Sequence, residues 1–153
     1  MAENDVPQAE REGLEAWLQG FEREIARLDY AAARRRFDPK VTTFSTRMDV
    51  VADLDQFERD QWRQVWPSAS DFRWNLGGMR AMVSPDGLMV VVAVMWDSTG
   101  YHEDGRPFER PGRASFVLMR DRVGGPWRGL HAHVSLKRGV PQTSHGKRTP
   151  AQA

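Results

Sequence analysis

The chain contains no cysteine, which excludes a disulfide framework, a thiolate zinc finger and a cysteine nucleophile. Neither sign of charge is in excess: lysine plus arginine number 22, aspartate plus glutamate 21, and the net charge is +1. So balanced a chain lacks the electrostatic footprint of a nucleic-acid binder. Its one basic triplet, Arg34-Arg35-Arg36, reads as a solvated helix end, where cations complement the dipole. Long apolar runs are missing too. The longest, Leu88 to Trp96, is too short to span a bilayer as a helix. Met1 to Asp5 lacks the charged-then-apolar pattern of a secretory leader. The turns Ser84-Pro85-Asp86-Gly87 and Gly124-Gly125 precede no helix, so they are not phosphate loops. These absences set the expectation of a cytoplasmic protein with no cofactor, no metal, no membrane and no nucleic-acid partner. A length of 153 residues is one domain's worth.

What is present is periodic. Leu14, Trp17, Leu18, Phe21, Ile25 and Leu28 recur at spacings of three and four, which predicts an amphipathic helix capped by Asp5, with Pro7 in its first turn. Asp29 reads as the N-cap of a short second helix from Tyr30 to Arg36, ended by Asp38-Pro39. Val41 to Ser45 suits a short strand. Asp53 with Gln56 forms a capping-box pattern for a third helix, which carries Leu54, Phe57, Trp62, Val65 and Trp66 on one broad side. Beyond Pro67 the period changes to two. Phe72, Trp74 and Leu76 alternate with polar residues, and Gly77-Gly78 would permit a bulge. Leu88 to Asp97 is apolar on both faces and should lie centrally in a sheet. Asp104-Gly105 and Gly124-Gly125 are hairpin turns bracketing a strand from about Arg113 to Arg122. Helices followed by long antiparallel strands mean α+β.

The last strand is the most informative stretch. Trp127, His131, His133 and Ser135 fall on odd positions, and Leu130, Ala132, Val134 and Leu136 on even ones. Successive side chains in a strand point to opposite faces, so the even set should meet the helices and the odd set should lie outside. Asp104-Gly105-Arg106-Pro107, Arg120-Asp121-Arg122 and then Trp127, His131, His133 and Ser135 resemble the last hairpins of the association (hub) domain of calcium/calmodulin-dependent protein kinase II. Together with Gly112-Arg113-Ala114-Ser115, the same string resembles SnoaL-like domains of the nuclear transport factor 2-like (NTF2-like) superfamily. The resemblance implies a cone-shaped α+β fold, with three N-terminal helices on a strongly curved antiparallel sheet and a ligand cavity between them. Residues 1–138 are expected to form this single SnoaL-like/NTF2-like domain. Residues 139–153, which show no apolar period, are expected to be a mobile C-terminal tail.

The departures from that likeness bear on function. The hub's pocket arginines fall at Trp96, near Phe116 and at Val134, all apolar here. A buried arginine without an anion is costly, so the resemblance with these replacements implies a small neutral aromatic or aliphatic ligand. The tyrosine of the steroid isomerases falls at Phe21 and their base at about Phe44 or Ser45. Phenylalanine neither moves a proton nor donates a hydrogen bond. The expected cavity wall is Trp17, Phe21, Tyr30, Phe37, Trp74, Trp96 and Phe116, with Tyr30 and Asp29 as a polar handle. His131 and His133 share a face as a metal pair would, but no Asp or Glu follows Asp121 to complete a site. They fit better on the outer face. A hairpin loop at Gly124 to Pro126 would set Met119 opposite His131, Val117 opposite His133 and Ser115 opposite Ser135. Arg113, Ser115, Val117, Met119, Trp127, His131, His133 and Ser135 would then form a strip suited to a twofold homodimer.

Three functions follow: a small-molecule-binding dimer, a cavity enzyme doing acid/base chemistry (isomerase, cyclase or dehydratase), and a self-association module like the hub. No convergent acid/base pair can be named and no kinase domain accompanies the motif, which favours the first.

Overall fold

The apolar stripe forms α1 (Gln8–Arg27), with Leu14, Trp17, Leu18, Phe21 and Ile25 buried, in a computed structural model that describes residues 6–150. The helix starts after Pro7 without a side-chain cap, and the expected cap, Asp5, lies outside the described residues. Leu28 then turns into the left-handed region at φ 53° and joins the buried stripe. Asp29 caps α2 (Tyr30–Arg34) as expected, its carboxylate accepting from the Ala32 N–H at 3.1 Å.

The third helical segment spans residues 54–68 and is reciprocally capped. Asp53 accepts from the Gln56 N–H at 2.8 Å, while the Gln56 side chain accepts from the Ala52 N–H at 2.9 Å. Its middle, Phe57–Trp62, is wound as a π-helix, and its end, Trp66–Ser68, tightens to a 3-10 turn at Pro67. The wide turn sends Phe57, Gln61 and Trp62 inward together.

Seven strands form one open, curved sheet: β1 (Phe37–Phe44), β2 (Ser70–Trp74), β3 (Arg80–Val83), β4 (Met89–Tyr101), β5 (Pro107–Glu109), β6 (Gly112–Met119) and β7 (Arg128–Leu136). The spine runs β1-β7-β6-β4-β2, with β3 and β5 also paired to β4. β4 is central, as its two apolar faces imply: Val90, Val92, Val94 and Trp96 point into the core, and Met89, Val91, Ala93 and Met95 point away. Gly77-Gly78 forms no bulge. It belongs to a 3-10 turn, Leu76–Gly78, that separates β2 from β3. Among the described residues no helix is long and apolar enough to cross a membrane.

Two expectations need correction. The sheet is mixed, because β1 pairs with β7 in parallel. β1 and β7 are far apart in sequence and joined by no hairpin, so nothing ties their pairing to the antiparallel sense. Pro39 is tolerated there because β1 is an edge strand.

The second correction is the register of the final hairpin. Val117 faces His131, Ser115 faces His133 and Arg113 faces Ser135, two residues from the expected pairs. Between Val117/His131 and Leu118/Gly129 the register slips, leaving Leu130 as the extra residue of a bulge. A bulge resets the alternation of everything before it. Leu130 therefore does not join the core, and Trp127 turns inward, 9% exposed, under the Arg120 guanidinium at 4.0 Å. Trp127 is not part of the outer strip.

The C-terminal segment makes contacts that its sequence does not suggest. His145 N–H donates to the Tyr101 carbonyl, Gly146 N–H to Ser68 and Arg148 N–H to Pro67, at 2.8, 3.1 and 2.7 Å. Residues 144–148 thus lie along the domain, held by these backbone hydrogen bonds and by the Ser144 hydroxyl, which accepts from the Tyr101 N–H and donates to the Ser68 carbonyl.

Candidate functional site: an aromatic cavity with unpaired donors

Under α1, against the inner face of the sheet, lies a cavity of about 70 Å³. That is well below the ~300 Å³ at which typical drug-sized ligand sites begin, so it is suited to an occupant of few heavy atoms. Of the seven predicted wall residues, Phe21, Trp74, Trp96 and Phe116 line it. Trp96, Phe116 and Val134, the three positions matched to hub arginines, all reach it.

The other three predicted residues do not. Phe37 packs behind the wall, edge-on to Trp17, Phe21 and Phe57 at 5.4–5.6 Å. Trp17 instead borders a wider open groove of about 780 Å³ shared with Arg36, Arg120 and Trp127. Tyr30 stacks on Trp66 at 5.3 Å, with the Arg63 guanidinium 4.3 Å from its ring, and burial outweighs that cation to raise the phenol pKa. Their aromatic character placed them in the core correctly, but not on the cavity surface.

The wall also contains residues the sequence reading did not assign to it. Trp62 and Trp66 come from the 54–68 segment, four apart and stacked at 4.9 Å. Phe72 stands edge-on to Trp74 at 4.8 Å. Trp96 lies flat across the start of β6 because Gly112, opposite it, has no side chain. A Cβ there would run into the indole and sit 2.6 Å from the Ser135 carbonyl oxygen.

Two arginines complete the lining, Arg110 and Arg148. Arg110 sits between β5 and β6 and is 4% exposed. Its backbone is clamped to Ser98: its N–H donates to the Ser98 carbonyl and its carbonyl accepts from the Ser98 hydroxyl, both at 2.8 Å. Its guanidinium carbon lies 5.6 Å from the centre of the Trp96 ring. Burial pushes the Arg110 pKa down to about 10, which leaves it cationic at neutral pH. Arg148 donates to the carbonyls of Ala26, Trp66 and Ala69 at 2.9, 2.8 and 2.5 Å, and burial lowers its pKa as well.

The premise behind a neutral ligand, a cavity free of cations, is therefore overturned. The cations arrive from a loop and a tail and not from the strands where the resemblance placed them.

On the outer face, Arg113, Ser115 and His133 are exposed, while Val117, Met119, His131 and Ser135 are half-buried. His131 Nδ1 lies 2.7 Å from the Thr42 carbonyl, and Phe44 stands edge-on to His133 at 5.3 Å. Among the described residues no group of three or more His, Asp or Glu gathers around a common point. Met82, Met89 and Phe44 extend this face with 61, 39 and 45% exposure.

No family model and no curated protein matches the chain by sequence. Solved structures do match by shape. An NTF2-like superfamily protein from Salmonella enterica aligns at TM-score 0.67 and 19% identity, over 90% of this chain and 99% of that one. A ketosteroid isomerase-like protein from Erwinia carotovora aligns at TM-score 0.70 and 14% identity, over 88% and 99%. The association domain of CaMKII from C. elegans aligns at TM-score 0.64 and 17% identity, over 86% and 99%. The fold is the α+β, cystatin-like fold of NTF2-like proteins.

Proposed function

We propose that this domain binds a small molecule with an apolar body in the aromatic cavity and does not act on it by acid/base chemistry. The observation that carries this reading is the chemistry of the lining. Eight of its eighteen lining residues are aromatic, and its polar side chains are Ser45, Thr46, Gln61, Ser98, Arg110 and Arg148. None of these is a carboxylate, imidazole or phenol, the groups that serve as general bases near neutral pH. Gln61 is further engaged, accepting from the Arg47 N–H at 3.0 Å and donating to Thr46 at 2.7 Å. The isomerase-like neighbour thus lends a fold and not a reaction.

Thermal-shift screening with small apolar-bodied compounds tests the proposal. A ligand at a hundred times its Kd stabilises the fold by about 2.7 kcal/mol. Failure of every such compound to raise Tm would remove the reading, as would turnover of a bound compound.

A second reading is supported by the outer face. The strip of Val117, Met119, His131 and His133, widened by Met82 and Met89, is more apolar than a monomer commonly leaves in water. One of the similar folds is that of an association domain. We propose that the domain self-associates through this face as a homodimer. Sedimentation should find a dimer that Val117→Glu and His133→Glu each weaken. A monomeric wild type would end that reading.

A further inference from the structure

Among the described residues, four buried side-chain nitrogens have no hydrogen-bond partner: Arg110 Nε and the indole Nε1 of Trp74, Trp96 and Trp17. Three of these four residues line the one cavity, and Trp17 does not. The remaining polar lining is satisfied within the protein. Ser45 is bonded to Thr43 at 3.0 Å, Ser98 to the Arg110 carbonyl, Gln61 to Thr46 and the Arg47 amide, and Arg148 to backbone carbonyls. The lining residues' side-chain atoms that have no partner at all are donors, and one of them belongs to a cation.

An indole N–H and a guanidinium N–H can donate and cannot accept. A neutral alcohol or amide brings an acceptor for these donors but no charge to set against the guanidinium. A carboxylate brings two acceptor oxygens and no donor, and its charge offsets a cation that burial otherwise leaves uncompensated. No carboxylate of the protein is positioned to do this: desolvation is the only influence resolved on Arg110, and no ion pair to it occurs among the described residues. The rest of the wall, including Phe21, Trp62, Phe72 and Phe116, is apolar, and the volume admits only a short tail.

We infer that the cavity takes a small monocarboxylate with a short apolar tail, its oxygens accepting from Arg110 and from the indole N–H groups of Trp74 and Trp96. This rests on the reading of the cavity as a ligand site. It replaces the uncharged ligand with an anionic one and keeps the apolar body.

The test is to titrate the full chain at pH 7 with propionate and butyrate, with propionamide and butyramide, and with inorganic phosphate. The indole N–H resonances, assigned by single Trp→Phe variants, report occupancy. The acids should shift the Trp74 and Trp96 signals and bind at least about tenfold more tightly than their amides, the scale of a hydrogen bond to a charged group. Arg110→Gln should erase that preference while amide binding persists, and Arg110→Lys should restore part of it. Amides binding as tightly as acids to the wild type would overturn the inference and leave the cavity reading standing, with no variant needed. Phosphate binding more tightly than the carboxylates would overturn it too. If no compound moves either indole, the cavity reading itself fails, and the inference with it.

Discussion

Arg120, just past the end of β6, and Arg110, just before its start, are each 4% exposed, yet their surroundings differ completely. Arg120 donates to Glu10 at 2.6 Å and to the Gly87 carbonyl at 2.8 Å, and its guanidinium lies over Trp127. It joins α1, the β3–β4 turn and the last hairpin, and every role it plays is internal. Arg110 is held by its backbone while its side chain has a ring beside it and no anion. Burial of a cation is therefore not itself a mark of function. The mark is a buried cation whose partner the fold does not supply, because the desolvation cost is then met by nothing inside the chain.

The sharpest way to disturb the Arg110 end is Gly112→Ala. The new methyl meets both the Trp96 ring and a backbone oxygen, so the variant should lose about 3 kcal/mol, the upper part of the overpacking range. Urea unfolding measures the loss, and altered tryptophan emission would place it at Trp96. At the other end, Glu10→Gln removes the charge that faces Arg120. Breaking a fully buried pair costs ~3–5 kcal/mol; Glu10 keeps some contact with water, so about 2 kcal/mol is expected. A loss under half of that would mean that the Gly87 carbonyl and Trp127 suffice to hold Arg120.

Arg110→Met should move stability in the opposite direction. Replacing an unpaired buried cation by an apolar chain of similar length should raise stability by about 1 kcal/mol in the absence of ligand. A destabilised Arg110→Met would show that Arg110 holds the fold together after all, and the contrast between the two arginines would disappear. Smallest of all is Ser115→Ala on the exposed outer face of the same strand, expected within about 0.5 kcal/mol. A larger loss, measured at a concentration where sedimentation shows monomer, would place Ser115 in the packing of the fold itself.

How much of this was legible in the sequence follows from what kind of interaction fixes each part. The stripe of α1 and the Asp29 and Asp53 caps are local signals, and the central place of β4 follows from its two apolar faces. They read correctly because burial imposes its period on side chains. The bulge at Leu130 is different: it reconciles the β6–β7 hairpin with the pairing of β1 to β7, two constraints from distant segments. Only Gly129, beside it, hints at irregularity. That one residue decided the fate of Trp127. The cavity was half legible. Trp74, Trp96 and Phe116 alternate on strands and could be placed, whereas Arg110 sits in a Pro- and Gly-flanked link that looks like any exposed turn. The contacts of residues 144–148 were not legible at all, since they are made by backbone groups, the Ser144 hydroxyl and one arginine reaching carbonyls.

That arginine has a consequence in time as well as in space. Arg148 donates to the last carbonyls of α1, Ala26 lying 122 residues before it, and it forms part of the cavity wall. During synthesis, α1 and all seven strands emerge from the ribosome before Arg148 does. Until it docks, the C-terminal carbonyls of α1 and one side of the cavity are open to water. Contacts between segments so far apart in sequence carry the largest loop-closure cost and form slowly. A chain whose strands are paired while Arg148 is undocked does not yet present the closed site.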